Sequence, residues 1–191
     1  YDGDLVGALG IGSGTNTGYR WNGTAWRTNT TYGTGVDEGS TSYPSVFKIN
    51  NNFFMLVGHT GGLSSYSFTG TGWIANNTLK TGLPTFAAQT RPTAVYFQQN
   101  TILIIANTTQ NTLAYVWNIS SNSWVANSSI LNGLSSNFGV SPVFSIYNNE
   151  NNLMLTTGSI VNTSTQTFDL NGTLLPIPTI LSLTSVYPPQ K

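Results

Sequence analysis

Side chains able to carry acid–base, nucleophilic or metal chemistry are few in this 191-residue chain: one histidine, six carboxylates, six basic residues and no cysteine. His59 ends an apolar run beside Gly61 and Gly62. With no second histidine or cysteine to complete a metal site or a nucleophile–base pair, it reads as a hydrogen-bonded turn residue. Asp2 and Asp4 flank Gly3, and Asp37 adjoins Glu38. Calcium takes about six to eight oxygen ligands, and neither stretch has the spacing of a calcium loop, so these read as solvated loop acids. Glu150 in an Asn-rich turn and Asp169 on an alternating stretch read as exposed. A glycosidase needs two carboxylates converging across a cleft, and no such pair stands out. Arg20 and Arg27 neighbour aromatic residues, which suits stacking or edge capping. The expectation is a protein without catalysis, metal or cofactor.

A different chemistry recurs instead. Asn-x-Ser/Thr, the acceptor pattern for N-linked sugars, occurs at Asn22, Asn29, Asn76, Asn107, Asn118, Asn127, Asn162 and Asn171. Asn22, Asn118 and Asn171 each precede what reads as an outer strand, while Asn29, Asn76 and Asn127 each follow a tryptophan by three residues. Recurrence in turns places them where a glycan would not disturb a core. Asparagine is also simply a good turn former. The sequence expectation is glycosylation at these positions, which implies an extracellular or cell-surface location.

Composition narrows the partners. Six positive and six negative residues leave no net charge and no basic run, which argues against nucleic acid and anionic membrane surfaces, since both require clustered Lys and Arg. Without cysteine there is no disulfide scaffold. No apolar run reaches the ~18 residues of a membrane span; residues 174–186 come nearest and are broken by Pro176 and Pro178. The chain opens on Tyr1 without the charged-then-apolar pattern of a signal peptide, so its N-terminus is expected to be processed or trimmed. Few carboxylates also mean little leverage for acid unfolding.

The elements that must carry these residues are organised around 53–73, FFMLVGHTGGLSSYSFTGTGW. An apolar run, a Gly pair, an alternating Tyr66-x-Phe68, a small-residue turn and Trp73 describe short strands joined by tight turns. The pattern repeats as Tyr19-x-Trp21 with Trp26, Tyr115-x-Trp117 with Trp124, and Phe168-x-Leu170 with Leu175. Pro44, Pro92, Pro142 and Pro188, spaced 48, 50 and 46 residues apart, mark the same period. Units 1–44, 45–92, 93–142 and 143–191 follow, the first missing its opening strand and with residues 28–43 reading as loop. No helical period is sustained, so the fold is read as all-β. Four strands per unit of about 48 residues is the arithmetic of a β-propeller of four-stranded blades, with the Tyr and Trp ladder buried between blades.

The order of features within a unit resembles the kelch repeat, in which an apolar strand and a Gly pair precede a Tyr and a Trp. Gly61, Gly62, Tyr66 and Trp73 match that pattern; Tyr19 and Trp26 match it with the glycines displaced to Gly10, Gly12 and Gly14; the third unit keeps Tyr115 and Trp124 but has Asn107 and Thr108 at the glycine positions; the fourth keeps only Phe168. The resemblance implies a propeller. It does not imply the copper oxidase chemistry found on kelch repeats, which needs a Cys–Tyr crosslink and histidine ligands, nor that of sialidase-like propellers, whose arginine triad and Asp-box turns have no counterpart here. Both chain ends fall at the same point of the repeat, consistent with a four-bladed ring or with an excerpt of a longer propeller. Two functions follow: a structural or adhesive surface glycoprotein (surface layer, filament or adhesin module) whose partners are other surface proteins, glycans or copies of itself; or a lectin, in which Trp and Tyr beside Asn-rich loops stack on sugar rings.

Overall fold

The apolar runs predicted as strands include residues 55–57 and 103–106, which are buried in succession and therefore on both faces. In the computed structural model, which describes residues 6–9, 17–36, 38, 42–86, 90–97, 99–107, 112–132, 140–147, 152–158, 163–168 and 174–175, they form four consecutive antiparallel meanders. The first has three strands, β1 (Val6–Leu9), β2 (Thr17–Trp21) and β3 (Trp26–Thr28). The second has β4 (Tyr43–Ile49), β5 (Asn52–His59), β6 (Gly62–Phe68) and β7 (Trp73–Ala75). The third has β8 (Thr90–Phe97), β9 (Asn100–Asn107), β10 (Leu113–Asn118) and β11 (Ser123–Ala126). The fourth has β12 (Val140–Tyr147), β13 (Asn152–Gly158), β14 (Thr163–Phe168) and β15 (Leu174–Leu175). The strands expected from the sequence overlap these, and among the described residues the first sheet has three strands where the other three have four.

Alternation along β5 explains how the sheets stack. Met55 and Val57 point to one side, packing with Val36, Tyr66 and Trp73 at the junction with the first sheet. Leu56 points to the other, packing with Phe47, Leu103, Ile105, Tyr115 and Trp124 at the junction with the third. A strand covered on both faces reads as a continuous apolar run rather than as an alternating one. At the second junction the Ser45 hydroxyl accepts from the Ala94 amide at 2.9 Å and Thr101 donates to the Lys48 carbonyl at 2.7 Å. Gly58 lets β8 come close, because a Cβ there would collide with the Thr90 carbonyl. Pro44 and Pro92 lie near the start of β4 and β8, each the edge strand of its sheet, where a missing amide proton costs no ladder bond. Pro142 sits where the β12 register shifts between Val140 and Val143.

Residues 28–43, expected to be loop, contain a 3-10 turn, Thr30–Tyr32, and the same turn recurs as Asn77–Lys80 and Ser128–Leu131. Each is capped by an asparagine, Asn29, Asn76 or Asn127, whose side-chain oxygen accepts from the amide two residues on. The next sheet's tryptophan clamps onto the turn. Trp73 donates its indole N–H to the Tyr32 carbonyl at 2.9 Å and its amide to Thr34 at 2.9 Å. Trp124 does the same to Leu79 at 2.8 Å and Thr81 at 2.9 Å. Gly35 and Gly82, with φ of 87° and 88°, lie directly against the Trp73 and Trp124 carbonyls, where no Cβ fits.

Two expectations about the aromatic ladder change. Trp73 and Trp124 are buried between sheets at 5% and 2% exposure, but Trp26 is 47% exposed, because the first sheet has no described unit on that side. In the fourth unit the Trp-equivalent residue is Leu174, not Leu175. The ladder pairs Leu174 with Phe168, as it pairs Trp73 with Phe68 and Trp124 with Trp117. Phe168 therefore stands at the position of Phe68, and Gln166, opposite Leu155, takes that of Tyr66, opposite Met55.

Candidate functional site

Four polar side chains, Glu38, His59, Ser64 and Tyr66, meet at the junction of the first and second sheets. Glu38 lies on the link between β3 and β4, His59 ends β5, and Ser64 and Tyr66 lie on β6. β6 alternates, so Ser64 and Tyr66 share the face turned toward the first sheet, and the β5–β6 hairpin through Thr60 and Gly61 brings His59 beside Ser64. The Tyr66 hydroxyl donates to one Glu38 oxygen, and the other lies 3.5 Å from His59 Nε2. His59 Nε2 is also 3.1 Å from the Ser64 hydroxyl, and its Nδ1 accepts from the Gly61 amide at 3.1 Å. A donor pointing at Nδ1 leaves the ring proton on Nε2, directed at Glu38 and Ser64. The Glu38 and His59 side chains keep 13% and 23% exposure, so the cluster is organised by the fold yet reachable from solvent.

The equivalent junction between the second and third sheets is filled differently. Counting six residues back from Pro44 gives Glu38, and from Pro92 gives Phe86. The ladders place Leu113 opposite Ile105 as Ser64 lies opposite Val57, so His59, Ser64 and Tyr66 correspond to Asn107, Leu113 and Tyr115. Phe86 and Tyr115 are buried in the apolar cluster and Leu113 packs against it. Burial pushes the Tyr115 hydroxyl pKa above its ordinary 10.0. One framework thus holds a polar, partly open junction and an apolar, closed one. At the strand starts of the second junction the Arg91 guanidinium lies 4.5 Å from the Tyr43 ring centroid and 3.1 Å from its hydroxyl.

Comparison with known proteins bears on the fold. No family profile and no curated protein matches the sequence. Solved structures do match. The SapL1 lectin in complex with α-methyl fucoside superposes with a TM-score of 0.61 at 11% identity, over 88% of this chain and 56% of the lectin. The fucose-specific lectin from Aleuria aurantia gives 0.58 at 16% identity, over 90% and 60%. A further structure of that lectin, described as a six-bladed β-propeller, gives 0.56 at 15% identity, over 91% and 59%. The fold is a propeller repeat. The chain spans a little over half the length of these lectins. The kelch resemblance is thereby corrected to the coarser statement: the four-stranded blade is shared, but the structural neighbours are fucose lectins and no kelch family matches.

The remaining sequence candidates scatter. Asn22 and Asn118 lie in the β2–β3 and β10–β11 turns, where their side-chain oxygens accept from turn amides. Asn107 ends β9, and Asn162 and Asn171 lie outside the described residues. The equivalence of Asn171 with Asn22 and Asn118 does not hold by register: those two directly follow Trp21 and Trp117, whereas Asp169 follows Phe168. Arg20 and Arg27 face one another across the β2–β3 ladder and are exposed. Asp2, Asp4, Asp37, Glu150 and Asp169 lie outside the described residues. Among the described residues no group of three or more His, Asp or Glu could hold a metal, and no helix is long and apolar enough to cross a membrane. Sequence reasoning missed Glu38, which it took for a solvated loop acid. The available signal was the pairing of a lone histidine at a strand end with a repeat tyrosine that has a carboxylate one unit-link upstream.

Proposed function

We propose that this protein is a non-enzymatic, carbohydrate-binding propeller of the lectin type that takes a neutral sugar at the junction of its first two sheets. The observation that carries the reading is the superposition of about nine-tenths of the chain on fucose-binding propeller lectins. The site chemistry fits it. Glu38 can accept from two adjacent sugar hydroxyls, His59 Nε2 and the Ser64 hydroxyl offer complementary groups, and the low exposure of the cluster means that a bound hydroxyl exchanges water for fixed partners. A carboxylate at the centre disfavours sialylated or uronic-acid ligands through like-charge repulsion. The structural or adhesive role expected from composition becomes secondary, because the likeness is to binding proteins. An extracellular or cell-surface setting belongs to this proposal as the place where such glycans are met.

A glycan array carrying fucosylated, other neutral and sialylated sugars tests the reading. Signal confined to neutral glycans supports it. Signal on acidic glycans alone, or on none, contradicts it.

A further inference from the structure

We propose that the Asn-x-Ser/Thr sites divide by geometry: Asn29, Asn76 and Asn127 are blade clasps that stay unmodified, while Asn22 and Asn118 are the N-glycan acceptors among the described residues. The clasp is a ten-residue cassette, Trp-x-x-Asn-x-Ser/Thr-apolar-x-Thr/Asn-Gly, that starts at Trp26, Trp73 and Trp124 and ends at Gly35, Gly82 and Gly133. Each part has a structural task. The cap asparagine's amide donates to the middle strand of its own sheet, to Gly18, Ser65 and Ala114 at 2.8, 2.8 and 2.9 Å. Its side-chain oxygen accepts from the amides of Thr31, Thr78 and Ser129 at 3.1, 3.1 and 3.2 Å. At two caps the Ser/Thr hydroxyl that completes the glycosylation pattern donates to the same oxygen, Thr78 at 2.6 Å and Ser129 at 2.5 Å. The residues beyond the first two caps supply the carbonyls that receive the next tryptophan. Asn-x-Ser/Thr recurs here because the 3-10 turn takes a side-chain acceptor as its cap, to which a hydroxyl adds at two of the three.

N-glycosylation requires the side-chain nitrogen. Asn Nδ2 attacks C1 of a polyprenyl-pyrophosphate-linked sugar, the Nδ2–C1 bond forms, the C1–O bond to pyrophosphate breaks, and the amide proton leaves as the lipid pyrophosphate departs. At Asn76 that nitrogen donates to the Ser67 hydroxyl at 2.6 Å, and all three caps are half-buried against the sheet. Asn22 opens the β2–β3 turn and Asn118 ends β10 at the next such turn; both are exposed, and their described side-chain hydrogen bonds engage the oxygen, not Nδ2. In the second sheet Thr69 takes the same turn position, so a glycan there is not needed for the turn to form.

Site-resolved mass spectrometry of the protein secreted from a host that glycosylates Asn-x-Ser/Thr tests the division. Sugar on Asn22 and Asn118 with Asn29, Asn76 and Asn127 bare supports it; sugar on any cap, or both turn sites bare, overturns it. A second measurement uses protein made without glycosylation. Asn76→Ala should lower Tm by about 2–4 °C and Thr78→Ala by a smaller amount, with Asn118→Gln unchanged. An unchanged Tm for Asn76→Ala would refute the clasp.

Discussion

Tyr66 and Tyr115 occupy the same repeat position and have opposite surroundings. The Tyr66 hydroxyl donates a hydrogen bond to Glu38; Tyr115 is held in an apolar cluster where burial disfavours the phenolate. Because the folded Tyr115 pKa lies above the unfolded value of 10.0, its contribution to stability is complete below pH 10 and is lost as pH rises through that value toward the folded one. Tyr115→Phe should leave stability near pH 7 within about 1 kcal/mol of the parent and reduce its loss above pH 10, as read by denaturant titration at several pH values. An unaltered alkaline slope would mean that Tyr115 is not a source of it. The sequence marked both tyrosines as ladder residues. It could not distinguish them, because a deciding difference is the residue six before the next proline, Glu38 or Phe86, which meets the tyrosine through the stacking of two sheets.

The strands were legible because their signals are local: apolar runs, Tyr-x-aromatic alternation and turn asparagines such as Asn50, which adopts a φ of 53°. The 3-10 turns were not legible, since three or four residues carry no period and the cap asparagine reads equally as a glycan site. The fourth unit was read two residues out of register for a related reason. With Gln166 at the tyrosine position, Phe168 was the nearest aromatic to align, and only the ladder shows it opposite Leu174. Between elements, the tryptophan clasp ties a 3-10 turn to the next sheet by two hydrogen bonds at both junctions. Trp124→Phe keeps most of the buried ring but removes the indole donor, leaving the Leu79 carbonyl without it. The loss should be about 1–3 kcal/mol in chemical denaturation, whereas Trp26→Phe, at an exposed site, should cost under about 0.5 kcal/mol. Equal costs for the two would remove the clasp from the account.

Across the whole molecule, twelve charged residues leave packing and sheet hydrogen bonds to hold the fold. With only six carboxylates to protonate, Tm at pH 3 should lie within about 15 °C of its value at pH 7, and a larger drop would show that a few buried carboxylates dominate stability. The repeat makes junctions that are alike in backbone and free to differ in side chains. Of the two junctions described in side-chain detail, one is sealed by Phe86, Leu113 and Tyr115 and the other holds Glu38, His59, Ser64 and Tyr66. The junction holding Glu38 is the proposed neutral-sugar site, and isothermal titration of the parent protein and Glu38→Gln with α-methyl fucoside is its most direct test. Binding by the parent should be saturable and should weaken roughly tenfold to hundredfold in Glu38→Gln, the weight of a hydrogen bond to a charged acceptor. Saturable binding undiminished in Glu38→Gln, or no heat from the parent with this or any other neutral sugar, would contradict it.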